Sequence, residues 1–178
     1  YNVKVTNSDG NATSVFATLN LSTRTLQVVT TQTTNLTAGT AISVPVALIA
    51  EGGENRVLGS VAYDTNKLVF VSVTTLPGTA LAVTNAAVGQ IGFDLAQPPA
   101  QTFAAGSNVV AFLNFTVGVG VTQSIASLML QGEPVTNQVL NAAGAPLPCY
   151  FLSGVLIFKS LTAYALQSQS GATEEALP

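Results

Sequence analysis

The feature that most constrains this chain is a recurrence of short runs of β-branched and aromatic residues, separated by Gly, Pro, Asn and Asp. Such runs predict β-strands, and their close spacing is typical of sandwiches. No window carries a long apolar stripe with helical period. We therefore predict an all-β protein whose centre is an antiparallel jelly-roll sandwich of about nine strands. The predicted strands are Leu26–Thr33, Ala41–Leu48, Val57–Asp64, Lys67–Thr75, Thr79–Val88, Gln90–Ala96, Asn108–Val117, Ser124–Gly132 and Tyr150–Phe158.

Changes in composition divide the chain into three blocks. Residues 1–32 hold a β-hairpin extension and a Thr-rich connector, residues 33–158 form a self-contained sandwich, and residues 159–178 form a polar tail. The tail has an apolar patch at Leu161, Tyr164, Ala165 and Leu166. Residues expected in the sandwich core are Val46, Leu48, Val61, Leu68, Val71, Phe93, Phe112, Phe115, Leu128 and Leu156.

The hairpin of residues 1–22 has its own pattern. Its first strand and turn carry Tyr1, Val3, Val5, Asn7 and Gly10, and its second strand carries Ala17, Leu19 and Leu21. This pattern resembles strands F and G of a bacterial immunoglobulin-like domain, without that domain's strands A to E. Because a two-stranded hairpin is marginally stable alone, we expect either a remnant of a domain cut upstream or an element that adds strands to a neighbouring copy.

The central block carries a longer pattern. It comprises Leu36–Thr40, Val44–Val46, Gly59-x-Val61-x-Tyr63-Asp64 with Leu68, Val71-x-Val73, Ile91–Asp94, Val110–Val117 and Gly154–Ile157. The pattern spans about 120 residues and resembles a cohesin module, a jelly-roll sandwich also used by some carbohydrate-binding domains. The resemblance implies a recognition module whose partner is a dockerin-like protein or a glycan. Thr65 departs from the family, in which Pro usually follows Tyr-Asp.

The low charge of the chain excludes several classes of function. Charged residues make up 7% of the sequence, the net charge is −3, and Lys and Arg form no cluster, whereas nucleic-acid binding needs a basic surface. The longest apolar stretches, Ala41–Ala50 and Val109–Val121, are too short for a transmembrane segment. The sequence has no His, which excludes His-based triads, dyads and metal sites.

The carboxylates of the central block do not predict catalysis, so we expect no enzyme and no cofactor. Asp64 lies at a turn, where Asp commonly binds nearby backbone amides. Glu51 and Glu54 flank Gly52–Gly53 and are expected in a solvated loop, with a calcium site as the alternative. The lone Cys149 is expected to act as a small buried apolar residue. The remaining acids of the block are Asp94 and Glu133.

Together these features favour a secreted, extracellular structural protein of the cell surface. We expect a pilus-like filament or layer subunit, in which the hairpin of one copy adds strands to the next copy, head to tail. The alternative is a cohesin-like protein- or carbohydrate-recognition module of a larger scaffold or adhesin. The predicted assembly interface comprises Val3, Val5, Val15, Ala17, Leu19 and Leu21. Potential glycosylation sites, if the host modifies secreted proteins, are Asn11, Asn20, Asn35 and Asn114.

Overall fold

The computed structural model describes residues 4–7, 10–13 and 23–159. Their regular structure is β-strand, and the described part of the chain contains no helix long and apolar enough to cross a membrane. The strands are β1 (Lys4–Asn7), β2 (Gly10–Thr13), β3 (Thr25–Val28), β4 (Thr31–Thr33), β5 (Ala41–Ala50), β6 (Glu54–Tyr63), β7 (Leu68–Thr75), β8 (Ala80–Ala87), β9 (Gln90–Ala96), β10 (Gly106–Val117), β11 (Ser124–Gln131), β12 (Gln138–Asn141), β13 (Pro146–Leu147), β14 (Tyr150–Leu152) and β15 (Gly154–Phe158).

Two sheets face each other across the core. The first sheet has the order β14-β3-β5-β10-β7, with the long antiparallel pair β5 and β10 next to its end strand β7. In the second sheet, β9 and then β8 pair along one edge of β6. Along the other edge of β6, β12 pairs with its first half and β11 with its second half. β13 follows β12, and β15 and β4 follow β11, so the predicted all-β sandwich is confirmed.

The core fills the space between the sheets because alternate residues of each strand point inward. Two of the predicted core residues are wrong. Val71 is the extra residue of a β-bulge opposite β10 and is 58% exposed. Phe112 is only half-buried, because it is three positions from the buried Phe115 and an odd spacing on a strand gives opposite faces. The predicted residues that are buried are Val46, Leu48, Val61, Leu68, Phe93, Phe115, Leu128 and Leu156.

Two of the predicted strands cross from one sheet to the other. The stretch 26–33 divides into β3, which pairs with β5, and β4, which pairs with β15 of the second sheet. The stretch 150–158 divides at Ser153 into β14 and β15. β14 runs parallel to β3, and β15 runs parallel to β4, so these strands together close one long side of the sandwich. Gly154 permits the crossing, since a Cβ atom there would overlap the Val28 carbonyl.

Because β3 runs parallel to β14 and β4 runs parallel to β15, the chain enters and leaves the sandwich at opposite ends. We call these ends the N-terminal pole and the C-terminal pole. At the N-terminal pole the chain enters β3, and the Tyr150 amide donates to the Arg24 carbonyl (3.0 Å). At the C-terminal pole the chain leaves β15, and the Lys159 amide donates to the Thr33 carbonyl (2.9 Å). The extended stretch 25–33 covers about 26 Å between the poles. β3 pairs with β5 and is therefore part of the first sheet.

β1 and β2 form the antiparallel hairpin expected near the start of the chain, with Val5 opposite Ala12. Apart from Val5, the predicted interface residues lie outside the described residues; these are Val3, Val15, Ala17, Leu19 and Leu21. The apolar residues of the tail and Asn20 also lie outside them.

Candidate recognition surface

The outer face of the second sheet presents apolar side chains in its middle rather than at an edge. On β11, Ile125 is 55% and Met129 is 56% exposed, while the intervening Leu128 is fully buried and points into the core. Met129 lies opposite Ala62 of β6, and Ile125 lies opposite Ile157 of β15. We call Ala62, Ile125, Met129 and Ile157 the apolar patch. It extends across three strands.

A ridge of six residues, 132–137, lies over the same face between β11 and β12. Its backbone is fastened to β6, because the Ser60 hydroxyl donates to the Val135 carbonyl (2.6 Å) and accepts from the Val135 amide (2.7 Å). On β9, Gly92 leaves room for the ridge. A Cβ atom there would lie 2.7 Å from Val135 Cγ2 and 2.9 Å from Pro134 Cγ. The ridge is therefore a fixed border of the patch.

Two ion pairs lie on this face, and Glu133 of the ridge adds one negative charge. Arg56 Nε donates to Asp94 Oδ1 (2.7 Å), and a second N–H group of the same guanidinium donates to the other carboxylate oxygen. Near the C-terminal pole, Lys67 Nζ lies 3.2 Å from Asp64 Oδ2 and donates to the Ile125 carbonyl (2.7 Å). Both ion pairs are partly exposed. The face is therefore close to neutral.

A second polar cluster, which is buried, fixes the N-terminal pole. Arg24 is 6% exposed and donates to Glu54 Oε1 (2.5 Å), Glu51 Oε2 (3.0 Å) and the Pro148 carbonyl (2.8 Å). The carboxylate of Glu54, which is fully buried, also accepts from the amides of Glu51 (2.8 Å) and Gly52–Gly53 (2.8 and 2.9 Å). Burial opposes the charge, but the hydrogen bonds from the Glu51 amide and Arg24 outweigh it and lower the pKa of Glu54. This buried network ties β3 to the β5–β6 loop and to the segment before β14.

The expectation of a solvated acidic loop is therefore wrong for Glu54. Glu51 is exposed, but its carboxylate accepts from the Thr23 amide (2.6 Å) and from Arg24. Calcium would need these same carboxylate oxygens, which the guanidinium and the amides already occupy. The geometry gives the two acids a structural role instead.

Comparison with known proteins addresses the fold. No family model and no curated protein matches this sequence. Among solved structures, the sixth cohesin of scaffoldin B from Acetivibrio cellulolyticus, in complex with a dockerin, is 21% identical; the match covers 76% of this chain and 99% of that one, with a TM-score of 0.63. The OlpA cohesin of a cohesin–dockerin complex from Clostridium thermocellum is 11% identical over 78% of this chain and 100% of that one (TM-score 0.64). A non-cellulosomal cohesin from Archaeoglobus fulgidus is 15% identical over 78% and 93% (TM-score 0.61). The sandwich has the cohesin fold.

The cohesin resemblance of the central block is thus confirmed at the level of the fold. These comparisons do not address residues 1–22, so their resemblance to an immunoglobulin-like domain stays a prediction.

The remaining acids of this cohesin-fold sandwich have structural partners or lie at its surface. Asp64 holds its turn as predicted, accepting from the Asn66 amide (3.0 Å). Desolvation favours the neutral acid, but this hydrogen bond and Lys67 lower the pKa of Asp64. Glu133 is exposed in the ridge. Within residues 23–159 and the described hairpin strands, no group of three or more His, Cys, Asp or Glu side chains could hold a metal ion.

Cys149 is half-buried rather than fully buried. It packs against the hydrophobic core, and its thiol donates to the Tyr150 carbonyl (3.3 Å). Burial raises the pKa of the Cys149 thiol. Both properties fit the expected role as a small apolar residue.

The potential glycosylation sites differ in their surroundings. Asn35 lies in an exposed loop between β4 and β5. Asn114 lies in the middle of β10, and its side-chain amide is hydrogen-bonded to the hydroxyls of Ser43, Ser72 and Thr74 (2.5–3.2 Å). A glycan on Asn114 Nδ2 would replace one of the N–H groups that donate to the hydroxyls of Ser72 and Thr74. Asn11 lies in β2. The sites stay predictions, with Asn35 the more accessible of the two whose side chains are described.

The sequence analysis missed the patch, the ridge anchor and the buried network. Gly92 carried the one usable signal, since an isolated glycine in a strand marks the close approach of another segment. Ile125 and Met129 gave no such signal. Alternation along a strand assigns residues to two faces, but it does not show which segment, if any, covers the outer face.

Proposed function

We propose that this protein is a non-catalytic recognition module that binds another protein on the outer face of its second sheet. The observation that carries the proposal is the apolar patch, which lies on a nearly neutral sheet face of a cohesin fold. Protein interfaces combine an apolar centre with a polar rim, and the Asp64–Lys67 pair borders the patch at Ile125, whose carbonyl accepts from Lys67.

The neighbours support a protein partner rather than a glycan. Two of them are described as complexes of cohesins with dockerins, so a dockerin-like module is the partner class we propose here. A sugar platform needs flat, exposed aromatic rings, and Tyr150 is the one exposed aromatic residue among residues 23–159. The scaffoldin origin of one neighbour supports a place outside the cell, within a larger scaffold.

A display selection of dockerin modules against the whole chain tests this proposal. Selected binders should lose at least about tenfold in monovalent affinity for Met129→Lys, because a desolvated ammonium group opposes apolar contact. The matched control is Val71→Lys, a similarly exposed position on the first sheet, which should bind as the wild type does. Binders that tolerate Met129→Lys, or a selection that yields no binder, would contradict the proposal.

A second candidate is the filament subunit expected from the sequence. The observation that favours it is the position of the chain ends, because the hairpin precedes the N-terminal pole while the chain leaves at the opposite pole. Ends placed this way suit head-to-tail contacts, which do not close on themselves. Sedimentation of the whole chain over a wide range of concentration tests it. Polymers that grow with concentration support a filament, and a particle of fixed size contradicts it.

A further inference from the structure

The sandwich is closed along one long side and open along the other. The crossing strands close the first side, as described above. On the second side, β7 ends the first sheet and β8 ends the second, and the turn 76–79 joins them. Within residues 23–159, each pairs with a single neighbour, β7 with β10 and β8 with β9. We call this side the open seam.

The open seam carries only part of the usual protection of sheet edges. No charged residue occurs from Leu68 to Phe93, a stretch that includes both edge strands. Lys or Pro on an edge, or a very short edge strand, normally prevents pairing with another chain. Here both strands have eight residues, and Pro77 lies in the turn between them. Bulges are the one such device on the described strands of the seam: β7 has one at Val71, and β8 has one between Thr84 and Ala87.

Exposed apolar side chains follow the seam over its whole length. Near the C-terminal pole, Val69 and Val88 border a cleft of about 570 Å³. Tyr63 and Phe70 line the cleft, and both rings pack on Phe115 with centroids 5.2 and 6.0 Å away. The other exposed apolar residues along the seam are Val71, Leu76 and Val83.

We infer that the open seam is a contact between two copies of this chain. Two seams meet without placing a charge in the interface, because neither contains one. When two β7 strands lie antiparallel across a two-fold axis, the end of each seam that carries Leu76 meets the end of the partner that carries the cleft. A two-fold contact repeats this match twice, since the same surface serves both copies. Apolar side chains then gain burial that the single chain does not provide.

The inference goes beyond the proposed recognition function and does not depend on it. The seam contact uses the edge strands, whereas the apolar patch lies on β6, β11 and β15. A dimer joined at the seam leaves both patches free. Two recognition faces on one particle raise the avidity for a partner that is itself repeated.

Sedimentation equilibrium of the whole chain and two variants tests the contact. The wild type should form dimers as its concentration rises. Val71→Lys should weaken dimerisation at least about tenfold, because Lys is the residue that protects natural edges. Met129→Lys, a similarly exposed position on the other sheet, should dimerise as the wild type does. Circular dichroism checks that both variants are folded. A wild type that stays monomeric, or Val71→Lys that dimerises normally, overturns the inference.

Cross-linking distinguishes this contact from any other. In a Cys149→Ser background, which removes the lone native thiol, Val71→Cys should form a disulfide-linked dimer under mild oxidation. Val71 lies near the middle of β7 and hence close to the proposed axis, and a disulfide needs Cα atoms within about 7 Å. Met129→Cys in the same background should not cross-link. Dimers that cross-link through Met129→Cys instead, or polymers in place of dimers, also overturn the inference. Loss of dockerin binding alone would contradict only the recognition function.

Discussion

Replacing Arg24 with Ala tests the buried network at the N-terminal pole. The change removes the guanidinium from the fully buried Glu54, from Glu51 and from the Pro148 carbonyl. Removal of one partner of a buried ion pair costs about 3–5 kcal/mol, because the charge left behind is uncompensated. Glu54 keeps its backbone amide donors, so the loss should lie near the lower end, at about 3 kcal/mol.

Urea unfolding followed by far-ultraviolet circular dichroism measures this loss. With an m-value of about 2 kcal/mol per molar urea, a loss of about 3 kcal/mol lowers the midpoint by about 1.5 M. The matched control is Arg56→Ala, whose pair with Asp94 is partly exposed. An exposed pair contributes about 0–1 kcal/mol, so the control should shift the midpoint by less than about 0.5 M.

Equal midpoints for Arg24→Ala and Arg56→Ala would refute the reasoning, because burial would then make no difference to the cost. A double-mutant cycle adds a second test. If Arg24 acts through Glu54, the combined Arg24→Ala and Glu54→Gln changes should cost less than the sum of the single changes.

The pKa of Glu54 is lowered in the folded state, so its contribution to stability is present above its ordinary value of 4.5 and is lost as the pH falls below it. The urea midpoint of the wild type should therefore drop more steeply below about pH 5 than that of Glu54→Gln, and parallel curves would contradict this. Gly92→Ala should displace the ridge and speed hydrogen exchange in residues 132–137. Gly53→Ala, where a Cβ atom would meet nothing within 4 Å, should leave that exchange unchanged. Because burial raises the pKa of Cys149, its reaction with a thiol reagent at pH 8 should be at least about tenfold slower than that of free cysteine; an equal rate would show an exposed thiol.

The strand runs and turns were predictable because each depends on local residue types. The crossings between sheets were not. β3 and β4 form a single β-prone run in the sequence, as do β14 and β15, and the one local mark is Gly154, which does not say which strand approaches it. Gly154 is required there because of the Val28 carbonyl, which is distant in sequence and becomes a neighbour only in the folded chain.

The buried network was missed for a related reason. Arg24 and Glu54 are thirty positions apart, and the local sequence Glu51-Gly52-Gly53-Glu54 has the composition of an exposed turn. Glu54 can be buried because Arg24, in the segment just before β3, supplies a cation to its carboxylate. The bulge that exposes Val71 is likewise a property of the pairing between β7 and β10, which alternation within one strand does not contain.

The parallel pairing of the first and last strands also determines how the sandwich responds to tension along the chain. A pull on residue 23 away from the N-terminal pole, opposed by a pull on residue 159 away from the other pole, slides β3 along β14 and β4 along β15. Hydrogen bonds between parallel strands are evenly spaced, so this sliding loads them together, whereas peeling a strand from its end loads them one after another. Under force, the lifetime of the folded state depends on the rate of unfolding. The shear geometry lowers that rate, so a longer chain that contains this sandwich extends more slowly under tension.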